Sequence, residues 1–232
     1  MFICFFIFIL GLCFGSFANV LNWRLPRGLS IGGRSVCDNC KNKISWFDNI
    51  PLFSFIILRG RCRHCRSKIS LRYPFVELLT AVIFVLLYLK FGLSYQTFFL
   101  AVLSPILISI FFIDLDQQII PDELVFAGIA LSFLFNFSFN NLLSGFLGAA
   151  FLMLLHLITK GKGMGLGDVK LAILGGMILG LANLFTWFFW AFLTGAVIGC
   201  ILILTKKYGL KSKIAFGPFL IFALFLTIFL RL

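Results

Sequence analysis

Acidic residues are the scarcest chemistry in this chain: eight Asp and Glu stand against twenty Lys and Arg in 232 residues. Charged residues reach only 12%, hydrophobic ones reach 61%, and the mean hydropathy is +1.09. A soluble domain runs near half apolar and a quarter charged, so that class is excluded. There are only two histidines, His64 in a cysteine-rich stretch and His156 in an apolar run. With no Gly-x-Ser-x-Gly elbow either, a Ser–His–Asp hydrolase has no support. No long internal repeat and no low-complexity linker is visible. The first apolar run has no basic residues before it (Met1-Phe2-Ile3-Cys4) and no small-residue cleavage site, while Arg24 and Arg27 follow it. It therefore reads as a retained first span with its N-terminus outside, not as a secretory signal.

What the chain has in abundance is apolar runs of spanning length, at roughly 2–21, 74–91, 97–114, 120–137, 141–159, 168–182, 184–204 and 215–231. Most approach the ~20 residues a membrane helix needs; the Gly-rich sixth is the shortest. The expectation is an all-α polytopic membrane protein of about eight transmembrane helices. Of the Lys and Arg residues, eleven fall in 24–72, three in 160–170 and four in 206–213, with Lys90 and Arg231 on the other side. Basic loops face the cytoplasm, which places both termini outside and 24–72 in the cytosol, at the inner membrane. The +12 net charge is thus a topological signal. These loops are expected to lie against anionic lipid headgroups, and no nucleic-acid partner is expected.

Three parts follow: a first span over 1–23, a polar loop over 24–72, and a helical region over 73–232. The glycine pairs Gly11/Gly15, Gly176/Gly180 and Gly195/Gly199 have GxxxG spacing, which lets helix backbones approach closely. Pro74, Pro121 and Pro218 suit helix starts. Within the polar loop, Cys37-Asp-Asn-Cys40 and Cys62-Arg-His-Cys65 form a CxxC…CxxC array. Four thiolates at that spacing suit tetrahedral zinc. Disulfides are the rival, disfavoured in a reducing cytosol. A loop this small needs a staple, and zinc binding supplies about 10–16 kcal/mol in small finger peptides. The insertion is therefore expected to be zinc-ribbon-like, with a structural zinc ion and His64 left exposed. Cys4, Cys13 and Cys200 read as packing residues, and His156 as a helix–helix hydrogen-bonding residue.

Two aspartates stand where membrane helices should meet the cytosol. Asp114 ends the run Ile106 to Ile113, and Asp168 closes Gly165-Leu-Gly-Asp168. At a helix centre each would cost about 2.5–3.5 kcal/mol, so retaining them points to function. Asp114 and Asp116 lie about 200° apart on a helix, and Asp114 is the deeper. Both candidates belong to loops on the same side of the membrane. Two adjacent carboxylates cannot both ionise cheaply, so the pair shares a proton. One can activate water while the other polarises a carbonyl and protonates the leaving amine. The inferred reaction is peptide hydrolysis by Asp114 and Asp168.

With those strings in hand, the chain resembles the bacterial type IV prepilin leader peptidases, GxGD-type aspartic membrane proteases. The matching segments are Phe14-Gly-Ser-Phe-Ala-Asn-Val20, Arg24-Leu-Pro26, Cys37 to Cys40, Asn49-Ile-Pro51 and Leu58-Arg-Gly-Arg-Cys62. They continue through Cys65, Ile69-Ser-Leu-Arg-Tyr-Pro74, Glu77-Leu78, Asp114, Ile120-Pro121-Asp122, Gly165-Leu-Gly-Asp168-Val-Lys170 and Phe216-Gly-Pro-Phe219. The resemblance implies cleavage, at the cytosolic face, after a Gly that ends the basic leader of type IV prepilins or pseudopilins. It also implies N-methylation of the new N-terminus with S-adenosylmethionine, and it puts the paired aspartates on Asp114 and Asp168. Glu77 could serve methylation or complement the dipole of the second span. Lys170 could orient a substrate carboxylate, although a snorkelling lysine is the plainer reading. Asp116, Asp122 and Glu123 are candidate docking acids for the basic leader. Two other classes stay in view: an ion- or proton-coupled transporter, which calls for carboxylates at mid-membrane and repeated halves, and a zinc-dependent assembly factor with structural aspartates.

Overall fold

The computed structural model describes residues 2–161, 163–205 and 214–230. Lys162, the basic residues of 206–213 and Arg231, which enter the orientation argument, lie outside the described residues. Among the described residues there are nine α-helices and no strand. They are α1 (Phe2–Arg24), α2 (Phe53–Ile57), α3 (Arg72–Phe91), α4 (Tyr95–Gln117), α5 (Asp122–Phe135), α6 (Phe139–Ile158), α7 (Leu166–Leu179), α8 (Leu181–Leu204) and α9 (Gly217–Leu230). Each of the eight apolar runs becomes one helix, and the short α2 lies in the polar loop. The chain is an all-α polytopic membrane protein.

Five helices (α1, α3, α4, α6 and α8) are long and apolar enough to cross a bilayer. The other three, α5, α7 and α9, have 14 residues each, about 21 Å at 1.5 Å per residue. End chemistry sets the bounds of α5 and α7. Gly180 leaves α7 at φ +72° and Asn136 closes α5, while Gly165 starts α7 two residues earlier than the apolar run suggests.

The chain divides into two compact units, Met1–Ser109 and Ile110–Leu232. In the first, α1 packs along α3 through its glycine pair. A Cβ on Gly11 would stand 2.5 Å from the Ala81 Cα, and one on Gly15 would stand 2.6 Å from the Glu77 Cα. Backbone contact of this kind is what GxxxG spacing provides. Pro105 interrupts α4, and the Ser104 hydroxyl donates at 3.0 Å to the Ala101 carbonyl that the missing N–H leaves free.

In the second unit α7 is buried along most of its length, against α5, α6, α8 and α9. Small residues make this possible. Gly175 gives its space to the Trp187 ring of α8, Gly176 meets the Gly145 backbone of α6, and Gly128 of α5 accommodates Leu174. Trp187, fully buried, donates its indole N–H to the Leu220 carbonyl of α9 at 2.8 Å. The Gly195/Gly199 pair makes no comparable approach: the atoms nearest a Cβ there lie at 3.5 Å and 4.0 Å.

Candidate active site and metal centre

Asp114 sits in the last turn of α4, 4% exposed, while Asp116 lies on the exposed side. That split follows from their angular separation on the helix. Asp168 is 7% exposed and falls in the first turn of α7. Its Oδ2 accepts the Gly165 N–H at 3.1 Å, closing the helix start. Both aspartates therefore stand near helix ends, not at helix centres.

The surroundings bring the two together. Ile120 fills the space beside Gly167, where a Cβ would stand 3.0 Å from its own. Its Cδ1 also lies 3.2 Å from where a Cβ of Gly217 would be, and that same Cβ would be 2.5 Å from Asp114 Oδ2. Gly217 at the start of α9, Ile120 and Gly167 thus wrap one spot, and the Asp114 and Asp168 carboxylates interact electrostatically across it. One oxygen of each, Asp114 Oδ2 and Asp168 Oδ1, is buried without a well-formed hydrogen bond among the described residues, the Gly217 N–H approaching Asp114 without making one. A buried polar atom left this way costs about 1–3 kcal/mol. Two such oxygens on interacting carboxylates suit a proton, a water or a substrate group.

The segment before Asp168 is anchored by a residue assigned otherwise from the sequence. His156 Nδ1 lies 2.7 Å from the Met164 carbonyl, and Gly161, at φ +73°, folds over the imidazole. His156 therefore ties down the glycine-rich loop that delivers Asp168 and does not bridge two helices. Lys170 is likewise engaged: its Nζ is 2.8 Å from both oxygens of Asp122. This ion pair replaces the snorkelling reading, and Asp122, its charge already met, is not a free docking acid. Glu77 lies beyond the first turn of α3, so it does not serve the helix dipole. It accepts the Leu52 N–H at 2.8 Å instead.

The four cysteines of the polar loop converge, with their sulfurs all within 4.8 Å of one another. Cys37 and Cys65 Sγ are 3.8 Å apart, the edge expected of a tetrahedron with metal–sulfur bonds of about 2.3 Å. Each CxxC is a tight knuckle. Cys37 N–H bonds to Asn42 O at 3.0 Å and Cys62 N–H to Ser67 O at 2.9 Å, and Lys41 and Arg66 take matching φ values of +58° and +56°. The repeat behind this is legible as Cys-x-x-Cys-(Lys/Arg)-x-Lys-Ile-Ser, at 37–45 and again at 62–70. Ser67 and Asn39 side chains approach the Cys65 sulfur at 3.1 and 3.7 Å. Ser67 hydrogen bonds draw the Cys65 thiol down to about 5, while burial and the neighbouring sulfurs push Cys40 up to about 11, so with no cation among them the four sulfurs share protons as one cluster. His64 is exposed, outside the cluster. Asp48 and Arg63 close the loop through a two-point ion pair, with N–O distances of 2.6 and 2.8 Å.

These features define a class: a helical membrane protein with a buried aspartate pair and a four-cysteine cluster able to hold a metal. Residues 9–91 match the bacterial peptidase A24 N-terminal domain, and residues 101–200 match the type IV leader peptidase family. The chain belongs to the type IV leader peptidase family. It is 36% identical to the prepilin leader peptidase/N-methyltransferase of Neisseria gonorrhoeae, over 90% of this chain and 84% of that protein. Identity is 38% with the protein of that name from Myxococcus xanthus, across 90% of this chain and 66% of the relative. With the Bacillus subtilis counterpart it is 33%, across 91% and 88%. No solved structure is significantly similar.

Proposed function

We propose that this chain is a membrane aspartic endopeptidase that removes the leader from type IV prepilins or pseudopilins, and that it N-methylates the new N-terminus. The observation that carries the first activity is the buried pair Asp114 and Asp168, each with an oxygen that makes no well-formed hydrogen bond among the described residues. One carboxylate, ionised, takes a proton from water. The other, protonated, donates to the scissile carbonyl oxygen as the water hydroxyl adds to the carbon, giving a gem-diol. As the C–N bond breaks, the first gives the departing amine the proton it took from water, and the second recovers a proton from a diol hydroxyl. The pair ends with its proton exchanged and is ready for another turn.

In this reading 73–232 carries the peptidase, 24–72 is a module stapled by a structural zinc ion on Cys37, Cys40, Cys62 and Cys65, and 1–23 is a span. The sulfur spacing and the converging knuckles fit that ion. The positive-inside bias puts the aspartates and the module on the cytosolic side of the inner membrane, with anionic lipids beside the basic loop. Methylation would draw on S-adenosylmethionine, whose sulfonium methyl passes to an amine nitrogen as the sulfur becomes a neutral thioether and a proton leaves to water. The transporter reading has no matching feature, since both aspartates stand near helix ends.

The test is mass spectrometry of a prepilin co-expressed with wild type, Asp114→Asn or Asp168→Asn. Wild type should yield a product cut after Gly with one methyl added. Either variant, inserted normally, should leave the leader in place. Continued cleavage by either would overturn the mechanism.

A further inference from the structure

The middle of the polar loop is itself apolar. From Ile44 to Leu58 the one charged residue is Asp48, and Arg63 meets that charge in an ion pair. Such a run is too short to span a bilayer and has the length of an interfacial or re-entrant segment. It does not fold inward to make a core. Trp46 is 73% exposed, Phe53 60%, Ile56 71% and Ile57 58%, whereas Phe55 turns in and fills the space beside Gly60. Large apolar side chains gathered on the outside of one short segment mark a contact surface.

Depth indicates what that surface meets. The tip of the segment is pinned by Leu52, whose N–H donates to Glu77 of α3 at 2.8 Å. Glu77 lies five positions beyond Arg72, about 7.5 Å along the α3 axis. Its backbone packs against Gly15 of α1, nine positions and about 13 Å before Arg24 ends that helix. Both helices are long and apolar enough to cross a bilayer. Leu52 is thus held at a level inside the spans, below the arginines at their ends.

The backbone suits that depth. Pro51 has no N–H to satisfy, Leu52 gives its own to Glu77, and Phe53, Ser54 and Ile56 donate to the carbonyls of Pro51, Ile50 and Leu52. Irregular backbone at membrane depth needs internal partners of this kind. Leu52 adopts φ +57° to reach Glu77, a conformation costly for leucine that persists only where its surroundings impose it. Lys41 and Lys43 on one side of the run, and Arg59 and Arg61 on the other, are exposed. They stand where anionic headgroups would meet a segment whose tip enters the leaflet.

We propose that Trp46–Ile57 is a membrane-dipping wedge: its apolar side chains enter the leaflet beside α1 and α3, and the flanking cations meet lipid phosphates. The two cysteine knuckles, one before the wedge in sequence and one after it, are thereby held at the membrane surface.

The test uses the full chain in vesicles of phosphatidylethanolamine and phosphatidylglycerol, with acyl chains brominated either near the glycerol or near the terminal methyl. Trp46→Phe, which keeps an aromatic ring, isolates the Trp46 emission by difference. Shallow bromines should quench that emission at least about twofold more than deep ones, since interfacial segments lie about 5–10 Å into the boundary. Aqueous iodide should leave it unchanged. Emission open to iodide and untouched by either lipid would overturn the wedge. So would shielding that appears only when prepilin is added, or only when copies of the chain cross-link, because the surface would then be a docking face for substrate or for a second chain. A hydrophobic carbene-generating photolabel dissolved in the same vesicles gives a second reading on wild type, without any variant. Label on the peptide carrying Phe53, Ile56 and Ile57 supports the wedge, and label restricted to the spanning helices overturns it.

Discussion

Placing a methyl group on Gly217 offers the sharpest test of the aspartate geometry. A Cβ at that position would sit 2.5 Å from Asp114 Oδ2 and 3.2 Å from Ile120 Cδ1. An unstrained carbon–oxygen contact needs about 3.3 Å, so the carboxylate must retreat by roughly 0.8 Å. It is the free end of a side chain and can swing without moving the helices, so the stability loss should stay at or below the usual ~1–3 kcal/mol of overpacking. Catalysis is less forgiving, since a displacement near 1 Å can cost about 10²-fold in rate, or about 2.7 kcal/mol of barrier. Gly217→Ala should therefore lower kcat for prepilin cleavage by about two orders of magnitude with KM little changed. Gly165→Ala is the internal control: its Cβ would meet Asp168 Oδ2 at 3.2 Å, a contact relieved by a few tenths of an ångström, and the loss should stay below about tenfold. Timed cleavage assays on purified protein, with thermal unfolding alongside, give both quantities. If Gly217→Ala cleaved at the wild-type rate while folded, Asp114 would not be held where catalysis needs it.

Two further outcomes concern the polar loop. Replacing any of Cys37, Cys40, Cys62 or Cys65 with Ser should lower bound zinc, measured by metal analysis of purified protein, and should open 24–72 to limited proteolysis. Unchanged metal content would refute the ribbon. Asp48→Asn should loosen the same loop near neutral pH, because the Arg63 hydrogen bonds hold the Asp48 carboxyl below the usual carboxylate range. A depressed carboxyl lends stability above its unfolded pKa and loses it as pH falls through the folded one. The proteolysis difference between wild type and variant should thus be constant above about pH 5 and shrink in stronger acid; a difference that grows on acidification would refute the pair's role.

The helices and the aspartates were legible for one reason: burying charge in lipid is so costly that composition alone exposes both. Asp114 and Asp168 stand out because each follows or precedes a long apolar run. Local end chemistry was harder to read, so α7 starts at Leu166 with Asp168 inside its first turn, where pattern alone starts it at 168. Contacts distant in sequence were not readable. Lys170 meets Asp122 across 48 positions, and Gly217 meets Asp114 across about a hundred. Glu77 was read from an assumed helix start at Pro74, whereas α3 begins at Arg72 and leaves Glu77 past its first turn. The glycine pairs were half readable: spacing shows which residues share a face, and only the fold shows whether a neighbouring backbone comes to that face.

The three 14-residue helices of the second unit set a boundary condition for the lipid. About 21 Å of helix falls short of a hydrocarbon slab near 30 Å thick, so where the exposed faces of α5 and α9 border lipid, a thinner bilayer or dipping headgroups would meet them. Such a dimple would let bulk solvent draw near Asp114 and Asp168 without a long tunnel through the helices. Acyl-chain length would then become a variable of hydrolysis, with thicker membranes imposing a growing elastic load on the protein.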